Sequence, residues 1–209
     1  MTRWVLTEQK TNMKAIGWFW EREIMKALLI NGSPRNFGST SILLEKVRQG
    51  LLRNGYETKT YCLGDMSINY CKGCKHCYET GECLIRDDMD IIMGELADSD
   101  LLVIGTPSYW GDVTGQMKVF FDRSTPYCDT NPSLRFVSKM KIGLAIAVRT
   151  GTSDEETNGI LDKIEHYFGH MGIKPSGRLS VTGIDSPGDL DSRHEYLQMA
   201  FDMGKTIGS

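Results

Sequence analysis

The segment Cys71-Lys-Gly-Cys74-Lys-His-Cys77, with Cys83 after five intervening residues, gathers four of the chain's six cysteines into thirteen residues. Thiolates are soft ligands, and a set this crowded points to iron–sulfur or zinc chemistry, or to thiol redox chemistry. The spacing C-x2-C-x2-C-x5-C resembles the compact run with which bacterial ferredoxins hold a cubane [4Fe–4S] cluster. Gly73 and Gly81 give the loop freedom to wrap. The run departs from the ferredoxin pattern at its end, where five residues rather than three precede the last cysteine and Leu84 rather than proline follows it. Zinc knuckles usually lie a dozen or more residues apart, although His76 could complete a Cys3His set. Metal-free thiols, including a redox-active disulfide, are the third alternative. Cys62 and Cys128 fall outside the spacing.

Forty residues upstream of Cys71 begins Asn31-Gly-Ser-Pro-Arg-Asn-Phe-Gly-Ser-Thr-Ser41, set between an apolar run and a helical pattern. Small residues let backbone N–H groups approach an anion, and the helix N-terminus adds a favourable dipole. Ser33, Ser39, Thr40 and Ser41 offer hydroxyls, and Arg35 offers charge. The loop lacks the Lys-[Ser/Thr] of a Walker A motif and the G-x-G-x-x-G of a dinucleotide fold. It fits a terminal monophosphate held by hydroxyls, against the plainer reading of a strand-to-helix turn.

Two further loops share this character. Thr106-Pro107-Ser108-Tyr109-Trp110-Gly111 leaves an apolar run, and its aromatic pair could stack on a flat heterocycle. Arg149-Thr150-Gly151-Thr-Ser153 offers hydroxyls and N–H groups to a polar ring edge, and Arg149 could stabilise negative charge on that ring. Taken as structure alone, Arg149 is a surface arginine ahead of a helix cap. His166, His170 and His194 stand at no ligand or triad spacing.

The elements that must position these loops alternate. Ala27–Ile30, Glu57–Leu63, Leu101–Gly105, Ile142–Val148 and Ile173–Val181 read as strands, the central ones continuously apolar. Helices are expected over Thr40–Arg53, from Asp87-Asp88 to Asp98, over Thr114–Arg123, from a Ser153-x-x-Glu156 capping box to His170, and after Ser192-x-x-Glu195. Asn54-Gly55 is a C-terminal stop. Apolar strands alternating with helices predict a parallel sheet covered on both faces, a doubly wound α/β domain. Its ligand crevice lies beyond the strand carboxyl ends at the switch point, where the three loops emerge, so they describe a mononucleotide site.

The formal charge of −3 with no basic stripe argues against a nucleic-acid or anionic-membrane partner. No apolar run approaches the roughly 20 residues of a membrane helix. Residues 1–24 show no strand pattern and no strong helix face and are expected to be a disordered leader or an over-extended start, with Met25 opening a single domain over 25–209. The alternative is an oligomer arm packing Trp4, Trp18 and Trp20 on a partner subunit. Without an export signal the expected compartment is the cytoplasm, where thiols stay reduced.

Gly32-Ser-Pro-Arg35 with Gly38-Ser-Thr resembles the phosphate loop of the NADPH-dependent FMN reductase superfamily. Pro107-Ser-Tyr-Trp-Gly111 with Met117-Lys118 and Phe121-Asp122-Arg123 resembles its second signature, and the cysteine set is similar to the iron–sulfur flavoprotein branch. The resemblance runs from about Met25 to the end. It implies a flavodoxin-like five-stranded sheet of order 2-1-3-4-5, with FMN phosphate held by Ser33, Arg35, Ser39, Thr40 and Ser41. Pro107, Ser108, Tyr109, Trp110 and Gly111 would line the isoalloxazine; Arg149, Thr150 and Gly151 join the site on the residue reading of the third loop. Cys71, Cys74, Cys77 and Cys83 would hold a [4Fe–4S] cluster. No side chain is expected to be catalytic, since the flavin carries the chemistry. Lys118 and the Asp122-Arg123 pair are expected to be a helix-face charge and a helix-end ion pair. The implied activity is electron transfer between NAD(P)H or ferredoxin and a small-molecule acceptor, in a homodimer or homotetramer. The rival readings are a flavodoxin-type electron carrier without a substrate of its own, and a flavin-binding or sensor protein stabilised by zinc or disulfides.

Overall fold

A computed structural model describes residues 24–133 and 141–208. The chain runs β1 (Lys26–Asn31), α1 (Ser39–Arg53), β2 (Glu57–Cys62), α2 (His76–Thr80), α3 (Asp88–Asp98), β3 (Leu101–Pro107), α4 (Gly115–Arg123), β4 (Lys141–Val148), α5 (Asp154–His170), β5 (Ile173–Val181) and α6 (His194–Thr206). All five strands are parallel, in the order β2-β1-β3-β4-β5. Every strand expected from the sequence is present, with ends shifted by at most two residues. The short α2, inside the cysteine tract, carries no periodic signal and was not expected. The leader, residues 1–24, lies outside the described residues except for its last position.

Successive residues of a strand face opposite sides, and here both sides are apolar. Leu28, Ile30, Leu102, Ile104, Ala145 and Ala147 pack under α3, α4 and α5. Ala27, Leu29, Leu101, Val103, Leu144 and Ile146 pack under α1 and α6. On that second face Gly50 and Gly204 let two helices close up, since a Cβ on Gly50 would lie 2.1 Å from the Phe201 carbonyl oxygen. Gly55, at φ 85°, ends α1 in the left-handed conformation that Asn54-Gly55 predicts.

The parallel arrangement sends every strand's carboxyl end to one edge. The switch point lies between β1 and β3, from which the chain winds outward in both directions. Among the described residues no helix is long and apolar enough to cross a membrane.

Candidate functional site

The loop after β1 is fixed by its own polar groups. Ser33 N–H donates to Asn31 Oδ1 (2.9 Å) and Arg35 N–H to Ser33 Oγ (3.0 Å). Asn31 Nδ2 donates to Ser41 Oγ (2.8 Å), which in turn donates to the Arg35 carbonyl (3.1 Å). The neighbouring strand and helix hold the loop's base: Gly32 N–H donates to Gly105 O (2.8 Å), and Thr114 Oγ1 (2.7 Å) and Gln116 Nε2 (3.0 Å) donate to Gly32 O. Asp87, Thr114 and Ser153 cap α3, α4 and α5 with side-chain oxygens. The N-cap of α1 is Gly38, which has no side chain to offer, and its first turn, Ser39-Thr-Ser, carries no acid. The first N–H groups of α1 and its positive dipole end are therefore left for an outside anion.

A cleft of about 120 Å³ opens there. Ser33, Arg35, Ser39 and Thr40 line it from the first loop, Pro107, Ser108 and Tyr109 from the second, and Arg149 and Thr150 from the third. Ile184 and Asp185, after β5, complete the wall. The sequence reading missed that fourth loop because nothing in Thr182–Asp185 marks an anion or ring contact; a reading of β5's own exit onto the same edge could have found it. Four residues expected in the site do not face the cleft. Ser41 staples the loop from behind. Trp110 and Gly111 form the tip of a tight turn, φ 56° and 73°, closed by Tyr109 N–H to Asp112 O (2.9 Å) and Asp112 N–H to Tyr109 O (3.1 Å). The Trp110 side chain is fully exposed. Gly151 lies under the Arg149 guanidinium, which a Cβ at Gly151 would strike at 2.5 Å.

Arg149 is engaged within the protein. It ion-pairs with Glu156 (3.1 Å) and donates to the Ser153 carbonyl (3.1 Å). Glu156 also accepts from Ser108 Oγ. The Ser153-x-x-Glu156 pattern is thus only half a capping box: Ser153 Oγ accepts from Glu155 N–H (3.3 Å), while the Glu156 carboxylate ties the second loop to the third. A capping pattern in sequence conceals this role.

The cysteines form a separate cavity of about 420 Å³. Cys71, Cys74, Cys77 and Cys83 all line it, together with Tyr78, Arg123 and Pro126. The loop turns back on itself through left-handed residues Gly73 (φ 60°), Lys75 (61°) and Gly81 (78°), and Gly73 N–H donates to Cys71 Sγ (3.5 Å). All four are free thiols. Among the described residues no three His, Cys, Asp or Glu groups converge as a single metal ion requires; the sulfurs stand instead around the cavity. Burial pushes the Cys77 thiol up, and the neighbouring Cys83, Cys71 and Cys74 push it further. Gathered thiolates repel one another, so this donor set suits a cationic core that neutralises them.

Side chains from elsewhere hold the cradle. Arg123 forks onto Asp87 (2.7 and 3.0 Å) and donates to the carbonyls of Asn69 (2.8 Å) and Ile85 (3.2 Å). The two side chains of this pair are 1% and 6% exposed. The expected Asp122–Arg123 pair is not formed: Asp122 bonds Lys118 one turn back, and Arg123 points inward. Burial alone would raise the Asp87 carboxyl; Arg123, the Asn69 N–H and amide, and the Met89 N–H outweigh it and hold it well below the usual carboxylate range. On the other side, buried Asn131 donates to the Cys77 (3.2 Å) and Pro126 (3.0 Å) carbonyls, and Ser133 Oγ donates to the Tyr78 carbonyl (2.5 Å). His170, which shows no partner in the sequence, receives Asp129 at Nδ1 (2.7 Å) and meets His166 edge to face. Those histidines and Cys128 line a different groove between α4 and α5.

The two cavities sit at opposite ends of α4. Its start bonds Gly32 at the cleft, and its last residue is Arg123. Nine residues of helix span about 13 Å. The strands β1 and β2 do end side by side, with Asn31 Nδ2 reaching Cys62 Sγ at 3.6 Å. The strand order alone places the cysteine loop, leaving β2 beside β1, at that edge as an electron port; the chain instead carries its cysteines to the far end of α4.

A sequence model of the NADPH-dependent FMN reductases matches residues 25–181. The chain belongs to this family. It is a flavin-dependent oxidoreductase with the family's FMN-binding fold. An iron–sulfur flavoprotein of Methanocaldococcus jannaschii is 31% identical over 189 residues, covering 88% of this chain and 95% of the relative. Another of that name, from Archaeoglobus fulgidus, is 36% identical over 184 residues, covering 88% and 79%. Among solved structures, an NAD(P)H:quinone oxidoreductase from Methanothermobacter marburgensis superposes with a TM-score of 0.72 at 18% identity over 89% of this chain and 97% of that one. The fold is therefore flavodoxin-like, as the resemblance implied.

Proposed function

We propose that this family member moves electrons between a nicotinamide nucleotide or a ferredoxin and a small-molecule acceptor, using FMN in the strand-end cleft and a [4Fe–4S] cluster held by Cys71, Cys74, Cys77 and Cys83. The observation that carries the reading is the pairing of two built donor sets in one domain: an uncapped, hydroxyl-lined helix N-terminus and a cavity walled by four thiols. When bound, the flavin supplies a ring that exchanges hydride or single electrons, and the cluster supplies single-electron steps.

The residues divide the binding between them. Ser33, Ser39 and Thr40 present hydroxyls to the FMN phosphate, the first turn of α1 presents N–H groups, and Arg35 supplies charge. Ser41 keeps that loop in shape. Pro107, Ser108 and Tyr109 form the wall against the isoalloxazine, while Trp110 on its exposed turn reaches toward a donor, an acceptor or a second subunit. Thr150 and the Arg149–Glu156 pair border the ring edge, with Gly151 leaving room for the guanidinium. The cysteine cradle at the far end of α4 gives an electron a way out of the cleft, within the chain or across a homodimer or homotetramer interface. Free thiols fit a cytoplasmic setting.

Anaerobic purification followed by an absorption spectrum, with flavin, iron and acid-labile sulfide measured per chain, tests the reading. Flavin together with iron and sulfide is the expected result. Zinc without sulfide, or flavin without metal, would replace the cluster and leave the oxidoreductase. Rapid oxidation of NADH or NADPH by the pure protein separates it from an electron carrier without a substrate of its own.

A further inference from the structure

The guanidinium of Arg123 is partnered at both terminal nitrogens but not at Nε. Its two Nη groups take Asp87 and two backbone carbonyls. Nε is buried and finds no hydrogen-bond acceptor among the described residues. An N–H left unpaired out of reach of water is costly, more so when the group is charged, so an orphan in a 1% exposed side chain calls for an acceptor. Arg123 forms part of the wall of the cysteine cavity, and the Cys83 thiol is among the groups that favour its charged form, after Asp87. Asp87 is not in that wall; it grips the guanidinium from behind. The side of the ion pair that faces the cysteines is the positive one.

We propose that Arg123 is a positioning residue that sets the reduction potential of the cluster, its Nε–H directed toward a sulfur and its charge held at the cavity wall by Asp87. The inference rests on the reading that the four cysteines hold an iron–sulfur cluster. Hydrogen bonds to sulfur and nearby charge are two of the levers that tune such clusters, and groups behind the ligands exert them. A reduced cluster is one unit more negative than an oxidised one, so a fixed positive charge beside it favours reduction. Burial of the ion pair itself leaves its charges weakly screened on that side of the cavity. Asp87 opposes it from further away, so the two members of one ion pair act on the cluster with opposite sign.

Redox titrations of the anaerobically purified full chain, followed by absorbance and electron paramagnetic resonance, test this with Arg123→Gln and Asp87→Asn. Arg123→Gln is expected to keep its iron and become harder to reduce, with the reduced-to-oxidised ratio at a fixed potential falling at least tenfold, which is a shift of about −59 mV for one electron. Asp87→Asn is expected to shift the cluster the other way. The flavin couple, at the other end of α4, is expected to move much less in both. A merely structural pair would lower iron content or stability in both variants without opposed shifts. An unchanged cluster potential in Arg123→Gln, or shifts of the same sign in the two variants, overturns the proposal and leaves the cluster in place. If Arg123→Gln fails to retain iron, Asp87→Asn decides: an upward shift supports the proposal, and no shift or a downward one overturns it. A wild-type chain without iron or sulfide overturns the cluster reading itself, and the proposal with it.

Discussion

The strand-end cleft and the cysteine cradle are both built from loops, but different forces hold them. The cleft starts from main chain, with side chains such as Asn31, Thr114 and Glu156 tightening it: its loops leave paired strands, and Gly32, Ser108 and Arg149 are tied by backbone N–H bonds of 2.8, 2.7 and 2.9 Å to Gly105, Val148 and Val181. The cradle is non-repetitive chain between β2 and α3, held by side chains from the end of α4 and the segment after it. A site fixed by backbone loses binding in steps when a side chain is removed. A site held by a few buried side chains is most sensitive to truncation of one of them, while a polar replacement that keeps a hydrogen bond leaves it standing.

Substitutions sharpen that contrast. The largest effect is expected from Cys77→Ser, which should abolish iron and sulfide in the purified chain while flavin per chain stays unchanged; loss of both cofactors together would show that the two sites are one folding unit. Next is Asp87→Ala, which leaves Arg123 as a buried, unpaired charge and should cost about 3–5 kcal/mol in denaturant unfolding. The same pair sets an acid limit. Because Asp87 is held below its unfolded value of about 3.9, its contribution is complete above that pH and is lost as pH falls through the lowered folded value. Asp87→Asn should flatten this acid limb in a pH series of melting curves, and an unaltered limb would remove the ion pair from the account.

On the cleft side the effects are graded. Thr40→Val keeps the shape of a buried residue and removes one hydroxyl, so FMN should bind roughly 10- to 150-fold more weakly, from about 1.5–3 kcal/mol for a hydrogen bond to a charged group. Flavin fluorescence quenching measures it, and the melting temperature without FMN should not change. The smallest effect is expected from Trp110→Gly. A bulky residue at φ 56° is strained, so stability should hold or rise by up to about 1 kcal/mol, while the Michaelis constant for NAD(P)H or the oligomer size changes if the exposed ring is a contact.

The fold was legible because a parallel sheet buried on both faces requires continuous apolar strands, and Leu28–Ile30, Leu101–Ile104 and Leu144–Val148 have them. The cleft was legible in outline, since strand-end loops rich in Gly, Ser and Thr must meet at one edge of such a sheet. Glu156 was not, because a carboxylate three residues after Ser153 looks the same whether it turns back to cap a helix or forward to Arg149 and Ser108. Arg123 was misassigned for a related reason: its neighbour Asp122 is adjacent in sequence, but consecutive helical residues point about 100° apart, and the partner came from Asp87 instead.

By itself the sequence determined the sheet, its order through the family pattern, the three loops of the cleft and the four-thiol spacing, all set by local periodicity or contiguous motif. Tertiary structure alone decided that β5 adds a fourth wall to the cleft, that Trp110 faces outward, and that the cysteines lie a helix length from the strand-end cleft. Each of these depends on pairs of residues far apart in the chain, such as Arg123 with Asp87 and Asn131 with Cys77. No reading of composition or spacing encodes such a pairing, because it exists only once the helices have packed on the sheet.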